Sequence, residues 1–238
     1  MICDNLANIE ERIQAACDRS GRKRSEITLI AVSKTKPTSI MKSAYDSGIR
    51  HFGENRVQEM VNKYNEIDGD WGDNINWHLI GHLQRNKVKY IVDKVDLIHS
   101  VDSVRLAKQI EKEAAKKDLI CDILIQINIA KEDTKYGIDK KDLESFFQEI
   151  IAFPHIRVRG LMAIAPYVEK AEDNREFFKQ MRELFIDIKT KKHDNYIYKD
   201  HMDSFNILSM GMTGDFEIAV EEGATMLRIG TGVFGDRQ

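Results

Sequence analysis

The chain has 238 residues, 42% of them hydrophobic and 32% charged, with a formal net charge of −3. That is the makeup of a globular protein with room for a substantial core, not of a disordered or fibrous chain. The slight acidity argues against a nucleic-acid binder, which carries a basic face. The short basic clusters Gly21-Arg22-Lys23-Arg24 and Lys189 to Lys192 read as solvated helix ends.

Cys3, Cys17 and Cys121 form no C-x-x-C pair, so the expectation is a reducing compartment without a disulfide framework. The N-terminus has no apolar run behind a basic start, and no apolar stretch approaches the roughly 20 residues that span a bilayer. A cytoplasmic protein with no membrane partner is expected.

The first predicted element is a helix with Leu6, Ile9, Ile13 and Ala16 on one face. After it come short β-branched apolar runs separated by helical patterns. In order they are ITLIAV (27–32), IRHFG (49–53), INWHLIG (75–81), VDLIHSV (95–101), CDILIQINIA (121–130), IRVRGLMAIA (156–165), FNILSMG (205–211) and ATMLRIG (224–230). Continuous runs of this kind suit strands buried on both faces, as in a parallel sheet. Between them, Val57, Met60, Val61 and Tyr64 make one helical stripe, and Leu143, Phe146, Phe147 and Ile150 another. Phe177, Met181, Leu184, Phe185 and Ile188 continue a stripe over a longer helix. Pro37 fits the first turn of a helix that Gly48 ends, and Gly223 follows the stripe Phe216, Ala219, Val220.

Eight such units in one chain, with three prolines and no Gly/Ser-rich linker, predict one domain over 1–238. The predicted fold is a (β/α)₈ TIM barrel with an extra N-terminal helix. A doubly wound open sheet is the alternative, because periodicity does not fix strand order. In a barrel the functional residues sit at the C-terminal ends of the strands, with phosphate held after strands 7 and 8.

Those ends carry chemistry. The first run leads to Lys34, whose amine, half-buried at the rim, is a nucleophile toward carbonyls; a rim lysine paired with a carboxylate is the plainer reading. Lys36, next to Pro37, is expected to point outward. Asn55 follows the second run and offers a donor and an acceptor. His78 and His82 in the third lack the Glu of H-E-x-x-H and are not read as a metal site. The seventh ends in Ser209-Met210-Gly211-Met212-Thr213-Gly214-Asp215, a turn that opens a helix and can meet an anion.

Gly230, Gly232 and Gly235 match G-x-G-x-x-G letter for letter. A dinucleotide site needs a helix after that turn and an acidic residue about 20 positions further on, and only three residues follow Gly235. What survives is a single-phosphate turn made by the backbone at Gly230 with the Thr231 hydroxyl, to which Ser209 adds a second hydroxyl. A reactive lysine after strand 1 and a phosphate turn after strands 7 and 8 together suit pyridoxal 5′-phosphate (PLP).

With AVSKTKP (31–37), FGENRVQE (52–59), WHLIGHLQRNK (77–87), SMGMTGDFEIAVEEGATMLRIGTGVFG (209–235) and the Lys135-Tyr136-Gly137 loop, the chain resembles the pyridoxal phosphate homeostasis proteins over its whole length. The barrel of that family is the fold of the alanine racemase N-terminal domain. The resemblance implies that Lys34 holds PLP as a Schiff base, that Ser209, Gly230 and Thr231 hold its phosphate, and that Asn55 lies near the ring. It also implies a role in intracellular PLP homeostasis. By analogy with the racemase barrel, Arg228 faces the pyridine nitrogen. The family commonly has Ser at the position of Thr213, and Ala or Ser at that of Gly232.

An arginine does not deliver a proton near neutral pH, so a pyridine nitrogen facing Arg228 is a poor electron sink. No second domain follows the last strand, and no general acid is evident for the other face of the cofactor. The expectation is therefore a monomeric PLP-binding carrier without substantial amino-acid turnover, passing PLP to apo-enzymes by transimination, with Lys135 as a second amine. The alternatives are a PLP-dependent racemase or decarboxylase completed by a partner, and a barrel aldolase using Lys34 alone.

Overall fold

A computed structural model describes residues 2–67, 69–129, 136–190 and 203–235. The strands are β1 (Thr28–Val32), β2 (His51–Glu54), β3 (Asn76–Leu79), β4 (Leu97–Val101), β5 (Cys121–Gln126), β6 (Ile156–Met162), β7 (Ile207–Ser209) and β8 (Met226–Ile229). Each pairs in parallel with the next, and β8 returns to β1, so the sheet is a closed barrel rather than an open doubly wound sheet. The closing register sets Thr28 opposite Met226 and Ile30 opposite Arg228.

Besides a single turn at Asp70–Asp73, the α-helices among the described residues are α1 (Ile2–Ser20), α2 (Thr38–Asp46), α3 (Val57–Glu66), α4 (Val104–Ala115), α5 (Leu143–Ile150), α6 (Arg175–Thr190), α7 (Phe216–Glu221) and the single turn α8 (Thr231–Phe234). Their apolar stripes enter the core as the spacing predicts. Leu143, Phe146, Phe147 and Ile150 are buried, as are Phe177, Met181, Leu184 and Ile188, while Phe185 is half-buried and stacks on Phe205. Pro37 sits one residue before α2, and Gly48 and Gly223 both take positive φ after helix ends. In α3 the stripe is less apolar than its spacing suggests. Met60 is buried beside Lys63, and Tyr64 reaches solvent.

The apolar runs overshoot the strands at their C-terminal ends. Strand β3 stops at Leu79 and β6 at Met162, yet Ile80 and Ile164 remain apolar because they line the barrel mouth. Sequence pattern alone does not distinguish a strand residue from an apolar cavity wall.

Two cores result. The larger lies between strands and helices and includes Leu29, Ala31, Phe52 and Trp77. The smaller fills part of the barrel interior with Leu97, Leu124, Met162 and Ile207, packed by Met226. The N-terminal helix spans the β1–β8 seam from outside. Asn5 Nδ2 donates to Val233 O at 3.0 Å, and Arg12 pairs with Glu217 at 2.9 Å while lying over the Phe216 ring.

Strands β6 and β7 approach so closely that a Cβ on Gly160 would fall 1.8 Å from Ile207 O, and Gly160 has φ +151. Gly160→Ala is therefore expected to cost about 3 kcal/mol, read as a lower urea midpoint at unchanged slope; a loss below about 0.5 kcal/mol would contradict this packing.

Candidate cofactor site

A cavity of about 460 Å³ opens at the C-terminal end of the barrel, within the range of small-ligand sites. It brings together both ends of the sequence. Lys34, Thr35 and Lys36 come from the β1 end, Asn55 from the β2 end, Met212 and Thr213 from the β7 end, and Arg228, Gly230 and Thr231 from β8 and its turn.

Lys34 is presented by a strained turn, for Thr35 has φ +64, a conformation non-glycine residues rarely adopt. What holds it is a buried polar cluster. Lys63 Nζ donates to Ser33 O at 2.8 Å and to Glu54 Oε1 at 2.7 Å, and Ser33 Oγ donates to the same Glu54 oxygen at 2.6 Å. Glu59 completes it, accepting from Lys63 Nζ at 2.8 Å and from the Thr35 amide. Burial pushes the Glu54 carboxyl above the usual carboxylate range, against the pull of Lys63 and Ser33.

The opposite wall is built by two turns. After β7, Gly211 has φ +89, and a Cβ there would meet Ala219 Cβ at 2.6 Å. Asp215 accepts from the Met212 amide at 2.7 Å and from Asn174 Nδ2 at 2.9 Å, which fixes the loop carrying Thr213. After β8, the Thr231 and Thr213 hydroxyls lie 3.2 Å apart, and the Gly232 amide donates to Thr213 Oγ1 at 3.3 Å. Two hydroxyls beside the first turn of a helix make a polar wall that can meet an anion.

Beneath the cavity lies Arg228, only 4% exposed. Its Nη1 donates to Ser209 Oγ at 2.6 Å and its Nη2 to Ala163 O at 2.8 Å. Burial pushes its pKa down to about 10, which leaves it charged at neutral pH. Ser209 Oγ lies 3.0 Å from His99 Nδ1, His99 Nε2 3.0 Å from His78 Nδ1, and His78 Nε2 3.0 Å from His51 Nδ1. Burial first, and then the repulsion that a charge on both His78 and His51 would meet, pushes His78 down to about 3. His99 is held well below the ordinary range by burial, then by His78 and Arg228.

The structure thus gathers Lys34, Asn55, Arg228, Gly230 and Thr231 around one cavity. Ser209 is separated from them. Its hydroxyl is fully buried and engaged by Arg228 and His99 beneath the cavity, while the Thr213 side chain lines the cavity itself. Lys36 turns toward the cavity rim, its Nζ 3.4 Å from Phe234 O, rather than outward. His78 and His82 part company: His82 stacks on Tyr136 and faces Asp102 at 3.3 Å. Lys135 lies outside the described residues.

The sequence reading missed Ser33, Glu59, Lys63 and the histidines of the floor. Lys63 carried a signal, a charge three residues after Met60 on the apolar stripe of α3.

The family model for the alanine racemase N-terminal domain matches residues 5–238. The pyridoxal phosphate homeostasis protein of Aquifex aeolicus is 42% identical, covering 99% of this chain and 98% of that one. Its Escherichia coli K12 counterpart is 39% identical, covering 99% and 97%. The chain belongs to the pyridoxal phosphate homeostasis protein family. A solved member, PipY of Synechococcus elongatus, superposes with a TM-score of 0.79 at 33% identity over 99% of this chain and 100% of that one, in a structure with PLP bound. Alanine racemase of Clostridium difficile shares the fold alone, with a TM-score of 0.69 at 14% identity, this chain covering 57% of its length.

The cavity's residues suit the family's cofactor. Asn55 Oδ1 is buried with no hydrogen-bond partner among the described residues, an acceptor awaiting a donor; Arg228 offers charged donors below, and the Thr213 and Thr231 hydroxyls face Lys34 across the cavity.

This chain's two departures from the family's common residues touch each other. A Cβ on Gly232 would fall 3.2 Å from Thr213 Cγ2 and 2.9 Å from Ile229 Cγ2. The methyl that Thr213 adds to a serine takes part of the room that an alanine at 232 would need, beside the tighter contact with Ile229. Gly232→Ala is accordingly expected to be better tolerated by about 0.5–1 kcal/mol in a Thr213→Ser background than alone; additive denaturation energies in the double-mutant cycle would refute the compensation.

The buried imidazoles dictate an acid sensitivity. The unfolded chain takes up protons near pH 6.5 that the folded chain refuses at His78 and His99. Stability is therefore full above that pH and falls as pH drops through it, by about 1.4 kcal/mol per pH unit for each such imidazole. Between pH 6 and 4.5, His78→Gln should flatten the dependence of unfolding free energy on pH by about one proton; an unchanged slope would mean that His78 is charged in the fold.

Proposed function

We propose that the cavity at the barrel mouth is the PLP site and that the protein serves intracellular PLP homeostasis. The observation that carries this is the placing of Lys34 across one 460 Å³ cavity from the Thr213–Thr231 turn, with Arg228 as its floor. Barrel closure produces it, because β1 and β8 are neighbours and Val32 packs against Gly230.

When bound, PLP supplies an electrophilic aldehyde carbon. The chain's own residues do the holding. Lys34 contributes the amine that bonds that carbon, and the Glu54–Lys63–Glu59 cluster fixes the turn that carries it. The Thr213 and Thr231 hydroxyls receive the phosphate, and Gly230 leaves its approach open. Asn55 stands beside the ring.

Arg228 bears on whether the protein is also an enzyme. A guanidinium donates hydrogen bonds but does not give up its proton near neutral pH. A pyridine nitrogen resting on it stays unprotonated, which disfavours amino-acid chemistry that stores electrons in the ring. We therefore read the protein as a carrier that yields PLP to an amine of an acceptor apo-enzyme. The half-exposed Ile164 and Met212 at the lip leave the mouth open for that approach. Among the described residues no helix is long and apolar enough to cross a membrane.

Protein incubated with PLP should show a visible absorption band that borohydride bleaches, with a mass increase equal to reduced PLP localised to Lys34. Lys34→Ala should lose band and adduct together. No adduct with excess PLP would defeat the site, and sustained turnover of an amino acid by the purified protein would defeat the carrier reading.

A further inference from the structure

Five polar side chains from five strands form one line through the barrel interior: His51 (β2), His78 (β3), His99 (β4), Ser209 (β7) and Arg228 (β8). The link from His99 to Ser209 joins residues 110 apart in sequence. Homeostasis as a function does not by itself require this line, and the sequence reading assigned no role to its histidines.

The line has a direction, and Arg228 sets it. A guanidinium has donors only, so Ser209 Oγ must accept from Nη1 at 2.6 Å. The hydroxyl then has one proton to give. Its sole remaining partner among the described residues is His99 Nδ1 at 3.0 Å. That nitrogen must be bare, which puts the proton of the neutral ring on Nε2. His99 Nε2 donates to His78 Nδ1, and the same logic makes His78 Nε2 donate to His51 Nδ1, each over 3.0 Å. The opposite direction would give Ser209 Oγ two donors and leave its own hydrogen buried without an acceptor, at a full desolvation cost.

We propose that His99 is a positioning residue for Arg228, acting through the Ser209 hydroxyl, and that His78 and His51 lock the tautomer in which it does so. The Ser209 oxygen is polarised and aimed by His99, and with Ala163 O it fixes the plane of the guanidinium at the cavity floor. All three imidazoles are neutral and of one kind, Nε2–H. An imidazolium anywhere in the line would meet a donor with a donor and disturb the hold on Arg228.

The test has two readouts, of which only the second rests on the PLP reading. In cofactor-free protein with ¹⁵N-labelled histidine, two-dimensional ¹H–¹⁵N NMR at pH 7 should show His51, His78 and His99 protonated on Nε2 alone. Ser209→Ala should release the constraint, so that mixed tautomers appear at His99 and His78. An Nδ1–H tautomer or an imidazolium at His99 in the parent protein would overturn the proposal.

The second readout is PLP affinity followed by absorbance. His99→Leu should weaken it about tenfold, while His99→Asn, whose Oδ1 replaces the Nδ1 acceptor, should stay within about twofold of the parent. Equal affinity of all three proteins would overturn the positioning role. If the leucine variant does not fold, Ser209→Ala takes its place as the weakened protein. Failure of the parent itself to take up PLP would refute the cavity assignment, and the tautomer pattern would still decide the inference.

Discussion

A positive charge sealed inside a barrel is the constraint around which this molecule is arranged. Arg228 has almost no access to water, and an ion so placed is tolerable only when hydrogen bonds replace its hydration. Ser209 and the Ala163 carbonyl supply two of them. The interior accordingly divides. One portion is an ordinary apolar plug of Leu97, Leu124, Met162 and Ile207; the other is the polar line that ends on the guanidinium. Barrel interiors of this fold are usually filled with branched apolar residues, so the polar line marks where packing has yielded to the site above it.

The turn that carries Lys34 depends on a second buried network, on the helix side of the sheet. Lys63, Glu54 and Glu59 share donors and acceptors with the backbone at Ser33 and Thr35. Removing any one of them would strand the others in a dry site, which costs more than the pair itself contributes. The left-handed conformation at Thr35 is thereby sustained by contacts made elsewhere. The network thus fixes the turn that carries Lys34.

Much of the barrel was legible in the sequence, because strands buried on both faces must be apolar along their length and helices on the outside must show a stripe. All eight strands fall within the apolar runs or one residue beyond them. The runs overshoot where apolar residues continue past the sheet, as cavity wall at Ile80 and Ile164 and as core at Ile127 beyond β5. Lys34, Asn55, Gly230 and Thr231 were legible because each follows a strand end, where this fold keeps its chemistry. Ser209 obeyed the same rule and yet serves the floor; period-two alternation decides which side of a strand end a residue takes, and one short strand leaves that parity open. The histidine line was invisible for a different reason. Its members lie far apart in sequence, each alone inside an apolar run, and only the closed sheet aligns them.

The backing of the α8 turn by α1 bears on how the protein is made. Asn5 holds Val233 O, and the side chain of Ile9 lies against Gly232, so the two sides of this contact are more than 200 residues apart. During synthesis the Lys34 turn emerges early and the turns carrying Thr213 and Thr231 late. A chain still lacking β8 has an open sheet, with the free edge of β1 exposed. Such a chain carries an amine without the cradle opposite it. Only when β8 slots between β7 and β1 do the two walls face each other. The two walls of the cavity therefore come together in one step, with barrel closure.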